Sequence, residues 1–483
     1  MSTSLHIDKL SAIVGQVNCL TDESDLVPYT TDYRKVYSGP AIAAVRPGST
    51  KEVSEVMAYC YEHGIAIVPQ GGNTSLQGGA VPVSNDGLCI VLSLSRLNKI
   101  RSIDPVNDTL FLEAGVTLAA ARTAAESVQR LFPLRIGSEG SCQIGGNLST
   151  NAGGTAVLRY GNMRDLVLGV EVVLPNGAIW NGLKTLRKDN TGYDLKQLFV
   201  GSEGTLGVIT SAVLKLVPRP RSTSTALVAT KSPATALSLL GRLKTRLGND
   251  VTAFELISAP AMKLVQEWLR DEEPLFVSEH DWMVLIEVSS HSDQDDINDA
   301  FYEVLTESYD KGLVLDALLA TTEGQAQRLW RLREEISDAQ TRTGGSIRCD
   351  ISVPLSAVPE FIERASAKVL DLEPSTRMVI YGHMGDGNVH FNPLRPDGVS
   401  TTEFISKWHA EVTRAVDSVA LSLEGSISAE HGVGVAKRDE LLHVKQELEL
   451  LISWRIKNAL DPRNLLNPGK MLPAIPSFSR SQS

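Results

Sequence analysis

Thiol chemistry is scarce in this chain. Five cysteines (Cys19, Cys60, Cys89, Cys142 and Cys349) are scattered over 483 residues, with no CxxC pair. An odd number at irregular spacing argues against a disulfide framework and a thiolate metal centre, and fits reduced, buried thiols. Positive charge is also short: 46 Lys and Arg stand against 57 Asp and Glu, a net charge of −11. The clustered cations with which a nucleic-acid surface neutralises phosphates are therefore not expected, although a local basic pocket for a small anion stays compatible. No apolar run reaches the roughly 20 residues that span a bilayer. The opening MSTSLHIDKLSAIVGQVNCL is interrupted by Asp8 and Lys9 and resembles neither a secretory signal nor an Arg-rich transit peptide. The expectation is a cytoplasmic protein without a transmembrane segment or a nucleic-acid partner. Also missing are a Walker loop and a GxGxxG after a strand; Gly432-Val433-Gly434 starts such a pattern but fails at the third glycine. A P-loop and a Rossmann fold are thereby disfavoured.

What is present is an alternation of helical and strand patterns. Residues 49–64 carry a capping-box start at Ser49 and Glu52, apolar Val53, Val56, Met57 and Cys60 at helical spacing, and Gly64 as a stop. A short strand over 65–68 leads into a glycine-rich loop. Residues 117–131 read as a helix, 165–174 and 208–217 as strands, and Asn176-Gly177 as a hairpin turn. Pro218, Pro220 and a polar run mark a boundary. Beyond it, strands over 283–288, 313–319, 347–353 and 378–381 alternate with helices, which suits an antiparallel sheet covered by helices.

Three glycine-rich loops stand out: GGNTSLQGG from Gly71, GSEGSCQIGGNLSTNAGG from Gly137 and GSEGTLG from Gly201. Glycine lets backbone N–H groups approach a ligand, and consecutive N–H groups make an anion nest suited to a pyrophosphate. Asn73, Thr74, Asn147, Thr150 and Asn151 add side-chain donors, and Pro69 stiffens the entry. PQGGNTSLQGG, IGGNLSTNAGG and GSEGTLGVIT together resemble the FAD-binding signature of vanillyl-alcohol oxidase-type flavoproteins. That resemblance implies cofactor contacts from Pro69, Gly71, Gly72, Asn73, Thr74 and Ser75. It implies further ones from Gly145, Gly146, Asn147, Thr150, Asn151, Gly153 and Gly154, and from Glu203, Gly207 and Ile209. Some members tether the flavin to a histidine near the first loop. Here no His occurs between His63 and His280, so the resemblance implies non-covalent FAD.

The segment VIYGHMGDGNVHFNP carries two histidines about an Asp386-Gly387 turn. If those two residues form the turn, His383 faces His390 directly on one side of a hairpin, with Cβ atoms about 4.5–5.5 Å apart. Both imidazoles then reach one metal ion at about 2.0–2.1 Å. Glu430, on the Gly-bracketed loop SAEHGVG, is the best third ligand and leaves an open position for substrate. His431 stays available as a base near neutral pH. On spacing alone, a His–His contact without metal stands beside this reading. GHMGDGNVHFN, SAEHGVG and LLNPGKM resemble the D-2-hydroxyglutarate and D-lactate dehydrogenase group, over roughly residues 40–473. The resemblance implies zinc on His383, His390 and Glu430, with manganese or iron as alternatives for such a donor set. It also implies catalysis by His431, substrate contact by Asn392, and a return of Asn467 to the flavin.

Arg333 and Ser337, four apart, share a helix face, and Arg348 follows on the next strand. Arginine grips a carboxylate through two parallel hydrogen bonds. The family has Arg, Thr and Lys here, so Ser337 keeps the hydroxyl while Arg348 departs from the pattern. Taken alone, Arg333 would be a solvated partner of Glu334, Glu335 or Asp338. Two arginines beside a metal suit a dicarboxylate. The resulting expectation is an α+β protein: an FAD-binding domain at 1–218, a substrate or cap domain at 219–440, a C-terminal helical segment at 441–473 returning to the flavin, and a disordered tail at 474–483. It would oxidise D-2-hydroxyglutarate to 2-oxoglutarate by hydride transfer from C2 to flavin N5, with the metal lowering the hydroxyl pKa. An electron-transfer flavoprotein or quinone would take the electrons. D-lactate or another D-2-hydroxy acid is the alternative substrate, a non-catalytic flavin- or metal-binding protein is the second alternative, and pairing into a homodimer is left open.

Overall fold

The computed structural model describes residues 2–83, 87–291 and 294–474; the expected tail from 475 onward lies outside them. The chain divides into two compact units. One comprises Met1–Gly153, Asn162–Pro218 and Glu430–Ser483, the other Gly154–Gly161 and Arg219–Ala429. The division after Pro218 falls where the proline-rich run was read. The second division falls after Ala429 rather than at 440, and the short 154–161 segment belongs with the second unit.

Among the described residues the first unit holds two larger sheets and a two-stranded one. One orders the strands Cys19–Leu20, Ala43–Val45, Cys89–Ser93 and Ala66–Gln70; the last three run parallel. Against it packs the helix Thr50–His63. Ser49 caps this helix by accepting from the Glu52 N–H, Gly64 closes it in the left-handed region, and Val53, Val56, Met57 and Cys60 are buried. The other sheet is antiparallel, in the order Ile100–Asp104, Thr109–Glu113, Val208–Lys215, Val167–Val173 and Ile179–Gly182. The helix expected over 117–131 is shorter, Leu118–Glu126. Gln129 takes φ +58 and Arg130–Leu131 becomes a strand paired with Val217–Pro218. Arg130 also makes an ion pair to Asp108 at 2.5 Å, and the strand pairing is the tertiary contact that overrides the helical pattern. After the helix Glu447–Leu460, the chain lays Leu466 alongside Ile67 as a further parallel bridge.

The second unit is a seven-stranded antiparallel sheet. Its order is Asp316–Leu319, Ser222–Thr230, Trp282–Ser290, Val251–Ser258, Arg377–His383, Asn388–Leu394 and Cys349–Ser352. Alternation along the strands divides the side chains between two faces. One face (Val228, Phe254, Leu256, Ile286, Val389 and Phe391) is buried with Leu239 and Leu243, Phe301, Phe361 and Val416 of four helices. The other (Leu227, Ala253, Ile257, Leu285, Val379 and Tyr381) is covered by Val265, Leu332 and Ala339 of the helices Ala259–Leu269, Glu323–Glu334 and Ile336–Thr343. Helices thus cover both faces.

Candidate active site

The hairpin bearing the two histidines differs in register from the expectation. Tyr381, not His383, lies opposite His390, and Arg377 lies opposite Leu394. The connection is longer than Asp386-Gly387: Met384–Asp386 form a 3-10 turn, and Gly387 follows at φ +87. A Cβ on Gly387 would sit 2.3 Å from the Val353 carbonyl oxygen, so glycine is required on both counts. The shift is of two residues, however, and side chains alternate with period two, so both histidines keep the same face. They are diagonal neighbours, with ring centroids 5.5 Å apart and planes at 80°.

The strands flanking the hairpin each place a carboxylate directly opposite a histidine. Glu255 pairs with His383 and Asp350 with His390. Glu255 Oε1 lies 2.9 Å from His383 Nδ1, and Asp350 Oδ1 lies 3.5 Å from His390 Nδ1. Asn388 Nδ2 donates to Asp350 at 3.0 Å. A metal ligated by His383 would therefore be held through Nε2, with Glu255 fixing the tautomer. Neither carboxylate was singled out from the sequence, because their importance follows from strand pairings between distant segments. On the edge strand, Ser428 bridges to Asp350, and the Ala429 N–H donates to the Asp350 carbonyl at 3.2 Å, one residue before Glu430. Asp350 and His390 offer ligand atoms within 4.8 Å of one another.

Arg333 is not solvated. It is 5% exposed, its Nε donates to Glu255 Oε2 at 2.8 Å, and its guanidinium stacks 4.9 Å from the Tyr381 ring centroid. This corrects the reading that pairs it with Glu334, Glu335 or Asp338. Burial alone would raise the Glu255 pKa, but His383 and Arg333 outweigh it and hold the carboxyl below its ordinary range. The helix is interrupted at Glu335, between Arg333 and Ser337. Arg348 reaches Ser337 Oγ at 3.3 Å and Thr341 Oγ1 at 2.7 Å, both neutral acceptors. The Asn392 amide is engaged at both ends, accepting from the Cys349 N–H and donating to Gln340.

In the first unit the three glycine loops converge. A Cβ on Gly72 would lie 2.0 Å from the Ser141 carbonyl oxygen, and one on Gly204 would lie 2.8 Å from Pro69 Cγ. Gly71 faces Gln143 and Gly146, while a Cβ on Gly146 would meet nothing within 4 Å. Buried Asn73 Oδ1 and Gln143 Oε1 have no hydrogen-bond partner. Open backbone beside orphaned acceptors is a cradle that fits a dinucleotide carrying hydroxyl and N–H donors. Thr74 is half-buried in the first loop, and the Ser75 hydroxyl accepts from the Gln77 N–H.

Several other expected contacts have structural partners. Asn73 Nδ2 donates to Pro28 and Thr31, and Asn147 Nδ2 to Cys142 Sγ; Thr150 bonds the Gly146 carbonyl, and Asn151 Oδ1 accepts from the Arg164 N–H. Gly145 packs on Ala114 and Gly207 on Val172 and Phe199; Gly153 is buried, as is Ile209 in its strand, and Gly154 belongs to the second unit. Asn467 Nδ2 ties the carbonyls of Gly79 and Glu203 together at 3.0 and 2.8 Å. Glu203 accepts from the Val433 and Gly434 N–H groups at 2.6 and 2.8 Å, anchoring the loop that carries Glu430 and His431. Burial pushes Glu203 up, against those bonds and the charge of Lys470; burial also pushes Lys470 down to about 8. Within that loop, His431 Nε2 lies 3.8 Å from Glu430 Oε1.

These features define an FAD-dependent oxidoreductase built from an FAD-binding unit and a second unit around an antiparallel sheet. Residues 41–182 match the FAD binding domain model, and residues 219–471 match the C-terminal domain of FAD linked oxidases. D-2-hydroxyglutarate dehydrogenase, mitochondrial, of Arabidopsis thaliana is 37% identical over 97% of this chain and 82% of its own length. The Bos taurus protein of the same name is 39% identical over 96% and 84%. The chain belongs to the FAD-linked oxidases, in the D-2-hydroxyglutarate dehydrogenase group, and is an FAD-dependent dehydrogenase. Its fold is that of the vanillyl-alcohol oxidase type. A 4-ethylphenol oxidase from Gulosibacter chungangensis superposes with a TM-score of 0.76 over 98% of both chains, at 18% identity.

Proposed function

We propose that the protein oxidises D-2-hydroxyglutarate to 2-oxoglutarate, with a divalent cation on His383, His390 and Glu430 and with Asp350 as a neighbouring oxygen donor. The observation that carries the reading is one face of the seven-stranded sheet, where two histidines are each backed by a buried carboxylate and a buried arginine lies alongside. Two relatives that match nearly the whole chain bear the corresponding enzyme name. A donor set of imidazole nitrogen and carboxylate oxygen suits zinc, manganese or iron. When bound, the cation would polarise the substrate oxygens, and the flavin would accept the two electrons. The glycine loops of the first unit would hold the FAD without a covalent bond.

His431 takes the hydroxyl proton, and the Glu203 carboxylate holds the loop that presents it. Arg333 and Arg348 orient the carboxylates. Arg348, whose acceptors are neutral, keeps its full charge for the distal one, whereas Arg333 is neutralised by Glu255. That neutralisation favours one alternative, a monocarboxylate such as D-lactate. The electrons would pass on to an electron-transfer flavoprotein or a quinone, and the protein would work in the cytoplasm.

A panel of D-2-hydroxy acids with an artificial dye acceptor, run with and without chelator, tests the proposal. D-2-hydroxyglutarate should give the highest kcat/KM, and chelation should abolish turnover until metal is restored. A preference for D-lactate, or full activity in verified metal-free protein, would sink it. His431→Ala should keep its FAD and lose about 10²–10⁴-fold in kcat, the usual contribution of a general base.

A further inference from the structure

Glu255 lies outside the motifs read from the sequence, yet it is the most completely enclosed carboxylate on the site-bearing sheet face, at 1% exposure. Its two oxygens point to different partners. Oε1 meets His383 Nδ1 at 2.9 Å; Oε2 meets Arg333 Nε at 2.8 Å and Arg333 Nη2 at 2.7 Å. The strand register holds the first pair, since Glu255 and His383 are directly opposed. The helix Glu323–Glu334 delivers the second, with the guanidinium lying over Tyr381. An isolated carboxylate could not be enclosed in this way as an anion; one shared between a guanidinium and an imidazole N–H can. Glu255 also has only acceptor atoms, so facing Nδ1 it selects the tautomer with the proton on Nδ1 and the lone pair on Nε2.

We infer that Glu255 is a positioning residue that links metal binding to substrate-carboxylate recognition through one shared carboxylate. The inference rests on the proposed function, in which His383 binds the cation and Arg333 the substrate. One oxygen sets the orientation and basicity of His383. The other sets the angle and remaining charge of Arg333. A change at either end is felt at the other through Glu255, whose side chain has no slack to absorb it. This makes Arg333 a directional donor within a neutral pair rather than an unshielded cation. It also explains why an arginine, with several N–H groups in a planar fork, occupies this place: part of the fork is committed to Glu255 and the rest is available to a ligand.

The test is a set of FAD-loaded variants: Glu255→Gln, Glu255→Asp, Arg333→Met and the pair E255Q/R333M. Two readouts are taken on each. The first is Zn²⁺ affinity, by competition with a chromophoric chelator and without substrate. The second is the separation of KM from kcat with D-2-hydroxyglutarate. Glu255→Gln should bind Zn²⁺ about 10–100-fold more weakly, the usual cost of losing a carboxylate behind a ligating histidine, and should raise KM. Glu255→Asp, whose shorter arm cannot reach both partners, should recover one readout at the expense of the other. Arg333→Met should raise KM and also shift Zn²⁺ affinity, although it touches no ligand.

A purely structural Glu255 would lower the melting temperature and leave both readouts of the folded fraction unchanged. If E255Q fails to fold, E255Q/R333M restores charge neutrality and must still show weakened Zn²⁺ binding. A folded variant lacking Glu255 that binds Zn²⁺ like the unsubstituted protein overturns the inference. Unsubstituted protein that takes up no divalent cation overturns the metal reading as well, and that result is distinct because it precedes any substitution.

Discussion

A carboxylate buried between an imidazole and a guanidinium makes stability depend on acid in a defined direction. Glu255 titrates below its ordinary range in the folded protein, because His383 and Arg333 outweigh the effect of burial. An unfolded glutamate titrates near pH 4.3. The stabilisation is therefore complete above that value and is lost as pH falls through the lower folded value. Between about pH 6 and pH 3, the urea midpoint should fall more steeply in the unsubstituted protein than in Glu255→Gln; equal slopes would contradict the assignment. A second residue-scale prediction concerns Gly72. With a Cβ placed 2.0 Å from the Ser141 carbonyl oxygen, Gly72→Ala must push apart the first and second glycine loops, and purified protein should carry substoichiometric flavin by absorbance. His383 and His390 could be set on one sheet face from the sequence because both lie in one short motif, whereas Arg333 taken alone read as solvated and is buried on Glu255 only by the fold. Glu255 and Asp350 were not legible: the Glu255–His383 contact joins positions 128 apart, and nothing local in TAFELIS signals it.

Among the elements, those with local signals formed as read. The Thr50–His63 helix has its cap, its apolar face and its stop all within one stretch of sequence. The helix Leu118–Glu126 came out short because Gln129 turns the chain at φ +58 and Arg130–Leu131 pair with the distant strand Val217–Pro218. The histidine hairpin lies between these cases. Its turn was located correctly but is longer than two residues, and only the evenness of the register shift kept His383 and His390 on one face. A one-residue slip would have separated them. Gly387 is where this register is fixed. Gly387→Ala meets both a positive φ and the Val353 carbonyl oxygen at 2.3 Å. It should destabilise by about 2 kcal/mol or more in urea unfolding, in line with strained positions of this kind. A substitution within a few tenths of the unsubstituted protein would show that the turn has another conformation.

At the scale of the molecule, each unit has its own core. The glycine loops, though, are tied together by contacts within the first unit alone: Gly72 against Ser141, Gly204 against Pro69, and Asn467 across Gly79 and Glu203. A ligand that binds only this folded arrangement stabilises it by mass action. FAD at about 100 times its Kd should add roughly 2.7 kcal/mol. Calorimetry of flavin-stripped protein titrated with FAD should show a midpoint that rises with FAD concentration, and an unmoved midpoint would count against the cradle. No helix among the described residues is long and apolar enough to cross a membrane.

The Asn467 clasp has a consequence for biosynthesis. Gly79 and Asn467 are 388 positions apart, so the ribosome makes the nest's first strand of chain long before the residue that fastens it. Until position 467 has been made, the first and third glycine loops lack the side chain that joins them. Truncation before Asn467 would remove the clasp between Gly79 and Glu203 and should leave the purified protein paler even where the sheets survive.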